Sequence, residues 1–305
     1  MGEAYRWNWM IEWGTPYSAH MFAIKKHIFH GRSDFQEIQV LEYEELGKAL
    51  VLDGKTQSAL ADEFVYHEAL VHPAMILHGE PRKVLILGGG EGATAREVLR
   101  FKTVERVVMV DIDPVVIEVA KKYLPEWHQG AFNDPRLELI IGDGLKYINS
   151  DSEKFDVIIA DLADPLEAGP AYKLYVKEFY EKVVEKLNPG GVFVTQSTSP
   201  TLMPYTFAVI YNTIKSVFRH ATYYIAYVKS FDSIWGFTLA SNDNDPSALT
   251  PELVEDRLSK LIRGENRFYD PVSHIHMFSV PKNIRDQVSR IKDIATLEKP
   301  VFTPA

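Results

Sequence analysis

The chain has 305 residues and not one cysteine. That excludes disulfides, thiolate metal sites and cysteine-based redox or nucleophilic chemistry. No apolar run approaches the roughly 20 residues of a membrane-spanning helix. The opening MGEAYRWNWM lacks the charged-then-apolar order of a signal peptide, so a cytoplasmic protein is expected. Positive charge is also in short supply: 33 Lys and Arg face 42 Asp and Glu, a net charge of −9. That balance argues against a nucleic-acid partner and suits a cationic small ligand. Repeats and low-complexity linkers are missing too. What remains is an ordinary globular composition, 46% apolar and 25% charged, with enough apolar residues for a substantial core.

Two textures meet near residue 78. Before it, FAIKKHIF, FQEIQVLEYE and KALVLDGKTQSAL alternate apolar and polar residues between turn signals at Leu46-Gly47-Lys48 and Asp53-Gly54, which predicts a small antiparallel sheet. DEFVYHEALVHPAMIL then reads as a helix. After residue 80, continuous apolar strands (KVLIL, RVVMVDI, LELIIGD, FDVIIADL, GVFVTQ) alternate with amphipathic stretches. That pattern predicts a doubly wound α/β fold, a Rossmann-like parallel sheet of the class I methyltransferase type covered on both faces. YYIAYVK and SIWGFTLAS read as a closing strand pair, and SNDNDPSALTPE as a loop that leads to a helix. The expected organisation is therefore an N-terminal β-domain over 1–78 and a catalytic domain over 79–305.

In such sheets ligands bind at the carboxyl ends of the strands. Here those ends are repeatedly acidic. Gly88, Gly90 and Gly92 form the turn after the first strand of VLILGGGEGATARE. Asp111 ends the second strand, 23 residues after Gly88, where a carboxylate can accept from both ribose hydroxyls. Asp143, followed by Gly144, ends the third and can accept from an adenine amino group. Asp161 and Asp164 follow the fourth. A glycine turn of this kind ordinarily receives an anion, yet Glu91 sits inside it. A pyrophosphate, or the carboxylate of S-adenosylmethionine, would face like charge there. The ammonium tail of decarboxylated S-adenosylmethionine would be attracted.

DLADPLEAGPAYKLYVKEFY supplies a reacting centre. Asp161 and Asp164 are three apart in a loop, so both can face one cleft, bind an amine and take its proton. An alkylammonium with a pKa of around 10 is no nucleophile until it is deprotonated. Tyr66, Tyr172 and Tyr175 add hydroxyls and ring faces for ammonium groups. No metal is expected: His67 and His72 are five apart, about 140° around a helix, and HIH at 274–276 reads as a structural or surface pair.

Over nearly its whole length the chain resembles the polyamine aminopropyltransferases, the spermidine and spermine synthase family. The segments that carry the resemblance are FQEIQV, GKALVLDGKTQSALADEFVYHE, GGGEGATAREVL, VDID, IGDG and DLADP. The resemblance implies a small β-domain ahead of a Rossmann-like domain, assembled as a homodimer or homotetramer. It implies that Gln36 and Asp111 contact the adenosyl part and ribose, and that Asp143 and Gly144 hold the adenine. It further implies that His67 and Glu91 face the amines, that Asp164 binds an ammonium, and that Asp161 is the catalytic base. Decarboxylated S-adenosylmethionine is then a co-substrate and no cofactor is needed. Two departures, Glu91 in place of aspartate and a longer loop after the DP pair, are similar to the thermospermine synthase branch, as are EAGPAYKLY, SIWGF and RGENRFYD. The expected acceptor is spermidine. The rivals are putrescine as acceptor (spermidine synthase), spermine synthesis and, more remotely, small-molecule methyl transfer.

Overall fold

The computed structural model describes residues 8–150, 153–167 and 169–303. The first sheet is an antiparallel meander of β1 (Asn8–Thr15), β2 (Ser18–Arg32), β3 (Glu37–Tyr43), β4 (Gly47–Leu52) and β5 (Lys55–Ala59). Asp53 and Gly54 form the two-residue turn between β4 and β5, both at positive φ (45° and 73°), as a tight hairpin requires. The sequence reading begins this sheet one strand late. In β1 the residues Trp9, Ile11 and Trp13 are 43, 51 and 59% exposed while Met10 and Glu12 turn inward. The alternation is present, but the apolar face points out.

The remaining elements are α1 (Glu63–His78), β6 (Lys83–Gly88), α2 (Ala93–Leu99), β7 (Arg106–Asp111), α3 (Pro114–Tyr123), α4 (Pro125–His128), β8 (Leu137–Ile141) and α5 (Gly144–Ser150). They continue with β9 (Phe155–Asp161), α6 (Lys177–Lys186), β10 (Leu187–Gln196), α7 (Pro204–Lys215), β11 (His220–Val228), β12 (Ser233–Ser241), α8 (Pro251–Leu261), α9 (Pro271–Phe278) and α10 (Lys282–Arg290). The second sheet has the order β11-β12-β10-β9-β6-β7-β8. β10, β9, β6, β7 and β8 are parallel, and β12 and β11 close one edge antiparallel. The expected doubly wound fold and closing strand pair are both present. β10 starts at Leu187, so it takes in Asn188–Gly191 as an irregular stretch.

Alternate residues of each central strand feed the two cores. Val84, Ile86, Val157 and Ile159 meet α1, α2, α8 and α9 on one face. Leu85, Leu87, Ile158 and Ala160 meet α6 and α7 on the other. The division expected at residue 78 falls at the far end of α1, yet α1 packs in the core of the large sheet through Ala69, Leu70, Val71, Ala74 and Met75. Packing therefore places α1 with the second domain. This helix carries Pro73, which has no N–H to give the carbonyl of Ala69 one turn back. The Tyr224 hydroxyl donates to that carbonyl instead, at 2.8 Å, so the proline leaves no acceptor unmet.

Between the two sheets lies a further apolar cluster. Ile38, Val40 and Leu50 of the small sheet meet Ala93, Val116, Val119, Ala120 and Trp127. Each fully buried Val, Leu or Ile among them contributes about 1.5–3 kcal/mol. HIH lies on α9, with His274 in a structural place, buried between the Tyr269 hydroxyl (2.9 Å) and the Leu249 carbonyl (3.1 Å), and His276 at the surface.

Candidate active site

The strand order changes direction between β9 and β6, and at that point the carboxyl ends of β6, β7 and β9 come together. Gly88 is paired with Asp161 in register. The glycines serve this convergence sterically. A Cβ on Gly88 would lie 2.1 Å from the Asp161 carbonyl oxygen, and one on Gly90 2.8 Å from Asp111 Oδ2. The loop can therefore press against both aspartates only as glycine.

Asp161 holds its carboxylate between two hydroxyls. Tyr66 donates to Oδ1 at 2.8 Å and Thr94 to Oδ2 at 2.6 Å. Burial, followed by the charge of Asp161, raises the Tyr66 hydroxyl well above its ordinary value, so it remains a donor. A carboxylate offers about four lone-pair sites, so two hydroxyls leave room for a proton. Asp164 accepts from Gln196 Nε2 at 3.1 Å, and burial pushes its carboxyl up to about 6. Gln196 also donates to the Leu162 carbonyl and to the Tyr175 hydroxyl.

On the nucleoside side, burial raises Asp111 to about 6, with the charges of Asp113 and Asp161 adding to the rise. Its Oδ1 accepts from the Asp113 N–H at 2.9 Å. Asp113 is fully buried: Oδ1 caps α3 through Val115 and Val116, and Oδ2 accepts from Ser33 Oγ at 2.6 Å and Gln36 Nε2 at 2.8 Å. Asp143 uses Oδ1 to cap the start of α5 through Leu145, beside the half-buried Gly144.

Several expected residues stand elsewhere than the sequence implied. Gln36 reaches the donor side through Asp113, its amide spent on that carboxylate. His67, expected to face amines, is 1% exposed and stands behind Glu91, with Nε2 2.7 Å from Glu91 Oε1 and Nδ1 donating to Glu63. Burial alone would lower its pKa, but the carboxylates of Glu63 and Glu91 raise it to about 10, so it is an imidazolium. Glu91 itself is 8% exposed and takes a second bond from Ser58 Oγ, at 2.7 Å. Tyr175 is fully buried, donates to the Ala163 carbonyl at 3.1 Å and props Asp164 through Gln196. The Tyr172 ring packs edge-on against Phe302, and Glu167 is exposed. Ala168, in the same loop, lies outside the described residues.

Thr94, Gln196, Ser58 and Asp113 are functional neighbours that the sequence reading missed. Gln196 had a signal of its own, since it ends an apolar strand as Asp161 does. Asp113 lies in the quoted VDID. Ser58 had none, because its partner is 33 residues away in the other domain.

Buried Glu68, His72 and Glu97 bring ligand-type atoms within 4.8 Å of one another. Their chemistry is that of a salt-bridged core. Glu97 takes Arg96, Arg100 and His72, and Glu68 accepts the backbone N–H groups of Arg267, Phe268 and Tyr269. Those three bonds anchor the RGENRFYD segment.

The arrangement can hold a cationic chain near three carboxylates and remove a proton at Asp161. Residues 63–249 match the spermine/spermidine synthase domain, and residues 8–59 the spermidine synthase tetramerisation domain. The chain is 55% identical over 303 residues to a polyamine aminopropyltransferase of Aeropyrum pernix, covering 98% of this chain and 96% of that one. It is 51% identical over 301 residues to one of Sulfurisphaera tokodaii, covering 99% and 100%. Among solved structures it superposes on a spermidine synthase in complex with the transition-state analogue AdoDATO, with a TM-score of 0.87 and 35% identity over 93% of this chain and 96% of that one. The spermidine synthase of Thermotoga maritima gives 0.83 and 32%, over 92% and 94%.

Proposed function

Because the chain belongs to the spermine and spermidine synthase family of polyamine aminopropyltransferases, we propose that it moves the aminopropyl group of decarboxylated S-adenosylmethionine to spermidine, giving thermospermine. The observation that carries the chemistry is the convergence of Asp161, Asp111 and Glu91 at one switch point. Asp111 accepts from the ribose hydroxyls, Asp143 and Gly144 flank the adenine, and Glu91 meets the ammonium tail of the donor. Asp164 binds an ammonium of the acceptor. Asp161, steadied by Tyr66 and Thr94, takes the proton from the attacking amine.

The nitrogen lone pair then attacks the aminopropyl carbon. The carbon–sulfur bond breaks, its electrons neutralise the sulfonium, and methylthioadenosine leaves. The sulfonium is already an activated leaving group, so the protein's part is to position both substrates and keep the nitrogen unprotonated. No cofactor is required. Spermidine as acceptor is supported by the longer loop after Asp164, and the choice of its aminopropyl end by the thermospermine-like segments alone.

The outward Trp9, Ile11 and Trp13 of β1 lie in the matched tetramerisation domain, and we assign them to contact between copies in a homo-oligomer. Among the described residues no helix is long and apolar enough to cross a membrane.

The test is turnover with spermidine and each donor in turn. Decarboxylated S-adenosylmethionine should release methylthioadenosine and a tetramine in equal amounts. Turnover with ordinary S-adenosylmethionine would replace this reading with methyl transfer.

A further inference from the structure

Glu91 closes a ring. Its Oε1 faces the His67 imidazolium at 2.7 Å, and His67 Nδ1 donates to Glu63 Oε2 at 3.0 Å. Glu63 is gripped in turn by two nitrogens of Arg96, at 3.2 and 2.9 Å. Arg96 also donates to the backbone carbonyl of Trp127, whose indole N–H donates to Ser58 Oγ at 2.9 Å. Ser58 returns to Glu91 Oε2 at 2.7 Å. All six members are buried, between 0 and 8% exposed. They come from β5, α1, the glycine loop, α2 and α4, so the ring spans both domains.

Two carboxylates and two cations alternate around it, and their charges cancel. An isolated buried carboxylate would be free to swing toward water. Within the ring Glu91 is held against that motion by its contacts with His67 and Ser58. One oxygen of Glu91 is held by the Ser58 hydrogen bond and the other by the ion pair with His67, so what a ligand meets is a preset acceptor.

We propose that this ring is what holds Glu91 at the donor's aminopropyl tail. His67 is then a positioning residue for that tail rather than an amine ligand, and Ser58 is the point at which the small sheet acts on the donor site. The inference rests on the reading of Glu91 as the residue that meets the tail.

The experiment is a double-mutant cycle with His67→Gln and Glu91→Gln, read by kcat/KM for decarboxylated S-adenosylmethionine and by affinity for methylthioadenosine, which lacks the tail. His67→Gln alone should cost about tenfold in kcat/KM, within the range of couplings between contacting groups, and leave methylthioadenosine affinity within about twofold. In the Glu91→Gln background the same change should cost less than about twofold. Additive losses, or a parallel fall in methylthioadenosine affinity, would overturn the inference. Ser58→Ala opens the ring without altering charge. It should show the same non-additivity at a smaller size, and it carries the test if His67→Gln fails to fold. The premise fails separately: if Glu91→Gln alone leaves the affinity gap between decarboxylated and ordinary S-adenosylmethionine unchanged, Glu91 does not meet the tail.

Discussion

On the proposed reading, the donor side and the acceptor side of the cleft are built differently. The donor side is assembled from consecutive strand ends and their own following turns. Asp111 takes an N–H from Asp113 two residues on, Asp143 caps its own helix, and Glu91 is held by buried neighbours. The acceptor side is a surface loop whose shape comes from far along the chain. Gln196 of β10 and Tyr175 brace Asp164, Thr303 donates to the Pro165 carbonyl at 2.9 Å, and Phe302 meets Tyr172. Asp111 and Asp143 are thus set by local backbone chemistry and Glu91 by a ring drawn from both domains, whereas the proposed amine site can be retuned by residues that never touch the amine.

Asp161 belongs to both sides, and breaking it should have the largest effect. Asp161→Asn keeps the shape and at least one hydroxyl contact but cannot take the proton, so kcat should fall by ~10²–10⁴-fold. Methylthioadenosine binding should stay nearly intact, and a near-normal rate at neutral pH would remove Asp161 from the mechanism. Next in size, Asp111→Ala should weaken methylthioadenosine by ~10–100-fold, equivalent to the net loss of one charge-assisted bond of roughly 1.5–3 kcal/mol. The amine dependence should barely move.

Acidification tests the same half without mutation. On the proposed reading the ribose hydroxyls are held by the ionised form of Asp111, whose carboxyl burial pushes up to about 6. Affinity for methylthioadenosine should therefore be flat above that pH and fall by about tenfold per unit below it for one proton. Calorimetric titration at pH 5 and 8 reads this directly, and a flat profile would mean the ribose lies elsewhere. The smallest effect is expected on the acceptor side. Gln196→Ala removes one brace from Asp164 and should raise KM for the amine by about 2–10-fold, with methylthioadenosine affinity unchanged. A loss shared equally by both ligands would dissolve the distinction between the two sides.

How much of this could be read in the sequence follows the same divide. The strands, their order of alternation with helices and the acidic strand ends are local patterns, and they are what single out Asp111, Asp143, Asp161 and Asp164 as candidates. His67 and Tyr175 stand buried behind the residues the cleft presents, which the sequence does not reveal, because residue type says what a side chain can bind, not which way it points. His67 lies on a helix that is buried almost all round, so no polar face marks its orientation. β1 escaped because its apolar residues face outward, the reverse of what alternation is assumed to mean. Pro73 did not break α1 because a tyrosine 151 positions later supplies the missing donor.

The acceptor remains the claim on which the two-sided account depends most, and a competition assay tests it most directly. The protein is supplied with decarboxylated S-adenosylmethionine and equal concentrations of putrescine and spermidine, and the products are separated with the isomeric tetramines resolved. The account predicts that the spermidine product dominates by the ratio of kcat/KM values, and that it is thermospermine. Spermidine formed from putrescine as the main product would contradict it.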